Sequence, residues 1–334
     1  KLGTEYRRQE KRYNVYIGRG KSNCECENRY DEREEDMIKF GPSGNSQCFY
    51  NQGYKTSVQI PAWLKEMGLD AYEYQCSKGV NIGEATARKI GSEAAEHGVF
   101  LSIHAPYYIN MASEDSYKRE KSIWYVLETL KAADWMLAER VVVHVGSCSK
   151  VDRRWAMDTA IACMKETVTR ADDMGYGHIS ICPEVLGKIN QLGSLDEILE
   201  ICTIDDRFIP TLDFGHLHAR NGGNLNATED FRKVLDRVEE VLGYDRMEKL
   251  HIHFSRIEFT RGGEKKHWTL ADTQYGPEFR YLAEAIYKRK MEPVIICESR
   301  ENMTEDALEL KSIYIEVAGR EKNEKDKTIV YKRT

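Results

Sequence analysis

Between residues 37 and 318 the chain alternates short apolar, β-favouring runs with longer amphipathic stretches, eight times over. The runs are MIKFGP (37–42), AYEYQ (71–75), FLSIHA (100–105), RVVVHVG (140–146), ISICPE (179–184), FIPTLD (208–213), KLHIHF (249–254) and PVIICE (293–298). Several are continuously apolar, as expected of parallel strands covered on both faces. Between them, Ile123, Val126, Leu127, Leu130 and Leu137 follow helical spacing, and so do Leu308, Ile313 and Val317. Gly98 and Gly175 stand where C-terminal stops belong for helices over 82–97 and 155–174. Eight βα units in strict alternation predict an α/β fold, a (β/α)₈ TIM barrel. An open doubly wound sheet is the weaker alternative, because eight units is the closure number and no glycine-rich dinucleotide loop follows the first run.

The two ends read differently. Residues 1–36 form a charged, tyrosine-rich N-terminal extension, whose Cys24 and Cys26 are too little for a metal site by themselves, and 319–334 form a charged tail. That leaves 37–318 as the barrel, a metal-dependent catalytic domain on the reading below. With 334 residues and 41% hydrophobic content the chain can bury a large core. Its net charge of −6 lacks the basic excess of a general nucleic-acid binder, so binding of that kind would need local basic residues or metal ions. Nine cysteines without regular pairing read as reduced thiols of a cytosolic protein. No run of about 18 apolar residues is present, so no membrane partner and a soluble, cytoplasmic placement are expected, and nothing implies an obligate protein partner.

In a barrel of this kind the chemistry sits at the C-terminal ends of the strands. Six consecutive runs end in His104, His144, Glu184, Asp213, His253 and Glu298. Singly, each has an ordinary reading: a hydrogen-bonded histidine, or a carboxylate capping the next helix. Jointly, three carboxylates around one mouth would repel one another unless cations offset them, and imidazole with carboxylate is a donor set that Zn²⁺ and Mn²⁺ accept. Six donors exceed what one ion needs, which points to two ions sharing a carboxylate. That arrangement suits hydrolysis of a phosphodiester by metal-activated hydroxide. His216 adds a donor three residues after Asp213, His218 reads as a neighbour or as solvated, and His251 as a packed residue one layer below His253. His267 lies in a glycine-led loop, and His97 and His178 carry no expected role.

These residues resemble the endonuclease IV family of metal-dependent apurinic/apyrimidinic endonucleases, within the xylose-isomerase-like barrels. SIHAPYYINMAS (102–113) is similar to that family's H-A-P-Y-x-I-N-x-A-S block, and HVGS (144–147), PEVLGKINQLGSLDE (183–197) and ICES (296–299) support it. The resemblance covers about 37–316. It implies that His104, His144 and Glu184 hold one zinc, that Glu184 bridges to a second held by Asp213, His253 and Glu298, and that His216 and His267 serve a third. It also implies that Tyr107 contacts DNA at the lesion, with Asn110 in the same loop.

Two departures stand out. Where the family has D-R-H, this chain has Lys265, Lys266 and His267, so the third site loses a carboxylate and gains a cation that would weaken it. Glu264, one residue out of register, is a substitute donor; alternatively Lys265 binds phosphate itself. HFSRIEF (253–259) replaces the family's H-x-N-D block. The expected activity is cleavage of duplex DNA 5′ to abasic or otherwise damaged sites, with Glu184 central and Lys188, Arg256, Arg261, Lys265 and Lys266 as candidate phosphate contacts. The alternative is a sugar isomerase or epimerase, since Glu184, Asp213, His253 and Glu298 alone form the quartet such enzymes place around one Mn²⁺. A catalytically silent DNA-binding barrel is a third reading.

Overall fold

The computed structural model describes residues 38–149 and 151–331; the extension 1–36, with Cys24 and Cys26, lies outside them. Eight strands make the barrel: β1 (Lys39–Pro42), β2 (Ala71–Gln75), β3 (Phe100–His104), β4 (Arg140–Val143), β5 (Ser180–Pro183), β6 (Thr211–Asp213), β7 (His251–Phe254) and β8 (Val294–Cys297). They pair in parallel as two four-stranded sheets, β2-β3-β4-β5 and β6-β7-β8-β1. Single bridges close the ring, Ser43 to Glu73 between β1 and β2, and Glu184 to Thr211 between β5 and β6. The predicted runs and the observed strands coincide.

Side-chain alternation divides each strand between two environments. In β3, Leu101 and Ile103 join the main apolar core beneath the helices, while Ser102 and His104 point the other way. Likewise β7 gives Ile252 and Phe254 to that core and keeps His251 and His253 for the lumen. Among the described residues, Ala71, Phe100, Val294 and Ile296 form a separate small apolar cluster.

The helices start and stop for local reasons. Asp115 caps Ser116–Met136 by accepting from the Tyr117 amide, and Asp152 caps Arg153–Asp173 by accepting from the Trp155 amide. Helix Glu84–His97 ends at Gly98 in the left-handed region, as expected from the sequence. Leu137 is a correction: it follows the helical period but is the left-handed C-cap of Ser116–Met136 and is 67% exposed. Periodicity cannot see that the helix stops one residue earlier. The last helix, Met303–Tyr331, continues past residue 318 into the segment expected to be a tail. The seven described cysteines are free thiols, five of them buried (Cys76, Cys163, Cys182, Cys202 and Cys297). Among the described residues no helix is long and apolar enough to cross a membrane.

Candidate metal centre

The six strand-end residues meet at one mouth. Glu184 is fully buried and central: its Oε2 lies 3.1 Å from His104 Nε2 and 2.8 Å from His144 Nε2. Its Oε1 lies 3.4 Å from both His253 Nδ1 and His216 Nδ1. His253 Nδ1 is also 3.4 Å from Glu298 Oε1, which accepts from Ser43 Oγ at 3.1 Å. Donor atoms of His104, His144 and Glu184 lie within 4.8 Å of one another, and so do those of Glu184, Asp213, His253 and Glu298, with Glu184 common to both groups.

The orientation of each ring is set by what its other nitrogen touches. His104 Nδ1 is 2.8 Å from the Ala105 carbonyl, so it carries the proton and leaves Nε2 for the site. Asp213 combines the two readings open to a strand-end carboxylate. Its Oδ1 caps helix Phe214–Arg220 by accepting from the His216 amide at 2.8 Å, while its buried Oδ2 has no hydrogen-bond partner. Glu184 Oε1 and His253 Nδ1 are also buried without a hydrogen-bond partner. Orphaned oxygens and an orphaned imidazole nitrogen converging on one point are costly by themselves and fit a divalent cation.

The electrostatics agree. Burial pushes the Glu184 carboxyl up, but His144, His104 and His216 beside it hold it well below the usual carboxylate range. Burial likewise opposes the His253 effect on Glu298, yet His253 wins and Glu298 falls to about 2. Asp213 goes the other way: burial, with Glu298 and Glu184 nearby, raises it. Burial lowers His104, and the hydrogen bond and charge of Glu184 more than reverse this, raising it to about 9. Without a cation His104 therefore holds a proton that a metal ion would displace.

A third group, Asp213, His216 and His267, sits beside the first two. His216 Nε2 is 3.2 Å from His267 Nε2, and Ser255 Oγ is 2.8 Å from His267 Nδ1. The antiparallel hairpin Arg256–Thr260 and Gly263–Trp268 carries a bulge, in which Glu258 pairs with Lys266 and Phe259 with Glu264, leaving Lys265 unpaired. Glu264 then lies 3.4 Å from His216 Nε2 and 3.9 Å from His267 Nε2. Gly187 makes room for it, since a Cβ there would come within 2.5 Å of Glu264 Cβ. The expectation that Lys265 burdens this site is corrected: its ammonium pairs with Glu258 at 2.5 Å on the exposed part of the hairpin.

Other sequence candidates separate. Arg256 is a correction: its guanidinium is buried, and four of its five N–H donors are taken inside the protein, by both oxygens of Glu278 and by the carbonyls of Leu270 and Tyr275. Lys188 is exposed, on a loop that bridges to Gly263 of the hairpin. Lys266 lies 3.5 Å from the Trp268 ring centre. Tyr107 is 56% exposed, and Asn110 Oδ1 accepts from the amides of Ala112 and Ser147, stapling the loop. With His144, Gly146 and Gln191 they line a cavity of about 220 Å³ at the mouth. A larger groove of about 560 Å³, lined by Arg119, Trp155 and Cys163 among others, lies outside the barrel and contains none of the site residues. His218 is buried, accepts from the Leu225 amide and belongs to none of the donor groups. Sequence reasoning passed over Glu73, fully buried on β2 and 2.9 Å from His251 Nε2. A charged residue alternating with aromatics in AYEYQ was the available signal.

Residues 61–313 match the family model of the xylose isomerase-like TIM barrel. The chain belongs to that family. A protein of Methanocaldococcus jannaschii whose function is uncharacterised is 31% identical over 236 residues, 71% of this chain and 84% of that one. A probable endonuclease 4 of Mycoplasmoides gallisepticum is 28% identical over 162 residues, 46% of this chain; the alignment spans half of that relative's own length. Among solved structures, endonuclease IV from Thermus thermophilus superposes with a TM-score of 0.62 at 18% identity, covering 85% of this chain and 99% of that one. A D-tagatose 3-epimerase-like protein superposes with a TM-score of 0.61 at 20% identity, again over 85% and 99%. The chain is thus similar in fold to both, an enzyme of the xylose isomerase-like superfamily with candidate divalent-metal groups at the strand ends.

Proposed function

We propose that this chain is a divalent-metal-dependent phosphodiesterase that cuts damaged duplex DNA 5′ to abasic sites. The observation that carries the reading is the sharing of Glu184 between two complete donor groups, His104 with His144 on one side and Asp213, His253 and Glu298 on the other. A sugar isomerase needs only the second group. Bound Zn²⁺ or Mn²⁺ would supply an activated water and neutralise charge developing on phosphate. The chain's own part is to hold the donors, to keep His104 in the Nδ1–H tautomer, and to offer Tyr107 at the cavity edge for a base or sugar turned out of the stack. Lys188, Arg261 and Lys266 would meet the backbone, offsetting an overall charge of −6.

The epimerase reading has its own support in the quartet Glu184, Asp213, His253 and Glu298 and in the equal structural likeness to a D-tagatose 3-epimerase-like protein. Metal content and cleavage separate the two. Purified protein incubated with an abasic duplex should nick it, lose that activity in chelator and regain it with Zn²⁺ or Mn²⁺. Two or three ions per chain are expected; a single ion with no nicking would favour sugar chemistry. For the third group, Glu264→Gln should remove one ion, whereas Lys265→Gln should leave the count unchanged.

A further inference from the structure

Below the strand-end donors the lumen holds a second polar layer that the proposed reaction does not use. Glu73 on β2 reaches across to β7, 178 positions away, where its Oε2 lies 2.9 Å from His251 Nε2. Ser102 Oγ donates to the same oxygen at 2.9 Å, and Gln75 Nε2 donates to Oε1 at 3.1 Å. Glu73, Ser102, His251 and His253 are all fully buried. The remaining approach is to His253: its Nε2 stands 3.2 Å from Glu73 Oε1, and no other hydrogen-bond partner serves that nitrogen. The opposite nitrogen of the ring, Nδ1, is the one that faces Glu184 and Glu298.

A buried carboxylate is an expensive way to fill space, and an apolar side chain of similar size would hold the lumen as well or better. What a carboxylate adds is an acceptor in a fixed place. An imidazole that binds a metal through one nitrogen donates its other N–H, and the acceptor fixes its tautomer and raises its basicity. We infer that Glu73 is a positioning residue that accepts a hydrogen bond from the Nε2–H of His253, so that Nδ1 is the nitrogen presented to the shared metal group. A small tilt of the ring turns the 3.2 Å approach into an aligned hydrogen bond. His251 and Ser102 hold the Glu73 carboxylate in place and do not themselves face the metal group.

The inference rests on the metal reading, and the test is arranged so that the two fail differently. Metal-free protein is titrated with Zn²⁺ against a chromophoric chelator, and the Co²⁺ form is followed by its d–d absorption. Wild type should take up at least two ions. Glu73→Gln should weaken the ion that uses His253 by about 10- to 100-fold and shift the Co²⁺ bands, while changing the ion held by His104 and His144 less than about threefold. His251→Gln keeps an N–H donor beside the Glu73 carboxylate, so it should weaken the ion that uses His253 by far less than Glu73→Gln does and change the ion held by His104 and His144 less than about threefold. A purely structural Glu73 would make the two variants alike in metal affinity, or leave Glu73→Gln at wild-type affinity; either result overturns the inference while the metal reading stands. No uptake by wild type would overturn both. Should Glu73→Gln not fold, Glu73→Asp keeps the charge but falls a methylene short of His253, and wild-type affinity there would equally overturn it.

Discussion

The shell between strands and helices and the lumen of the barrel are built from the same eight strands yet obey opposite rules. In the shell, Trp63, Phe49, Phe208 and Phe231 are all but fully buried among Leu, Ile and Val, and the reward is apolar area removed from water. In the lumen, Glu73, Glu184, Asp213, His251 and His253 are buried as deeply, and several of their polar atoms lack partners. The contrast teaches that stability and chemistry are separated by strand parity rather than by region of sequence. Along β7, consecutive residues His251, Ile252, His253 and Phe254 belong to lumen, shell, lumen and shell. The shell can therefore carry the cost of a lumen that holds charge.

The sharpest way to probe that division is Glu184→Gln, which removes the charge common to both donor groups. Cleavage of an abasic duplex should fall by at least about a thousandfold, the scale on which a reaction-centre group is felt. Circular dichroism of the metal-free variant should match wild type; loss of the fold would mean that the lumen also sustains the shell. Next in size, Phe231→Ala acts on the other side of the division. It should cost about 3–5 kcal/mol in denaturant unfolding, while the folded fraction keeps its full complement of ions. A drop in ions per folded chain would blur the separation.

The smallest effect tests electrostatics within the shell. Glu197 is the fourth residue of the Ser194 capping box of helix Leu195–Cys202, accepts from the amides of Gly193 and Ser194, and pairs with Arg153. Burial pushes its carboxyl up, but Arg153 and those amides lower it to about 2 from an ordinary 4.5. A depressed carboxylate contributes stability above its unfolded value and loses it as pH falls through the folded one. Glu197→Gln should therefore cost about 2 kcal/mol at pH 7, and the gap to wild type should close as pH falls from about 4.5 to about 2. A gap independent of pH would assign the effect to the amide hydrogen bonds alone.

Much of this was legible beforehand, and the gaps have physical causes. The eight strands were, because apolar runs and helical periods are local signals that tertiary context had no reason to override. The rim donors from His104 to Glu298 were, because a strand's last residue is at the mouth whatever the rest of the barrel does. Arg256 was misread because guanidinium on an exposed-looking loop suggests phosphate, and only folding brings Glu278 and the Leu270 and Tyr275 carbonyls around it. Leu137 kept the period of its helix but not its conformation.

By itself, then, the sequence determined the barrel, the parity of each strand and the set of residues that reach the rim, all of which follow from short-range geometry. Tertiary structure alone decided who faces whom. Ring closure across the lumen brought Glu73 to His251 and His253, and a single unpaired residue in a hairpin turned Glu264 inward and Lys265 out. Alternation tells a side chain which way to point, but the partner it finds there comes from a strand elsewhere in the chain, and no local pattern encodes that meeting.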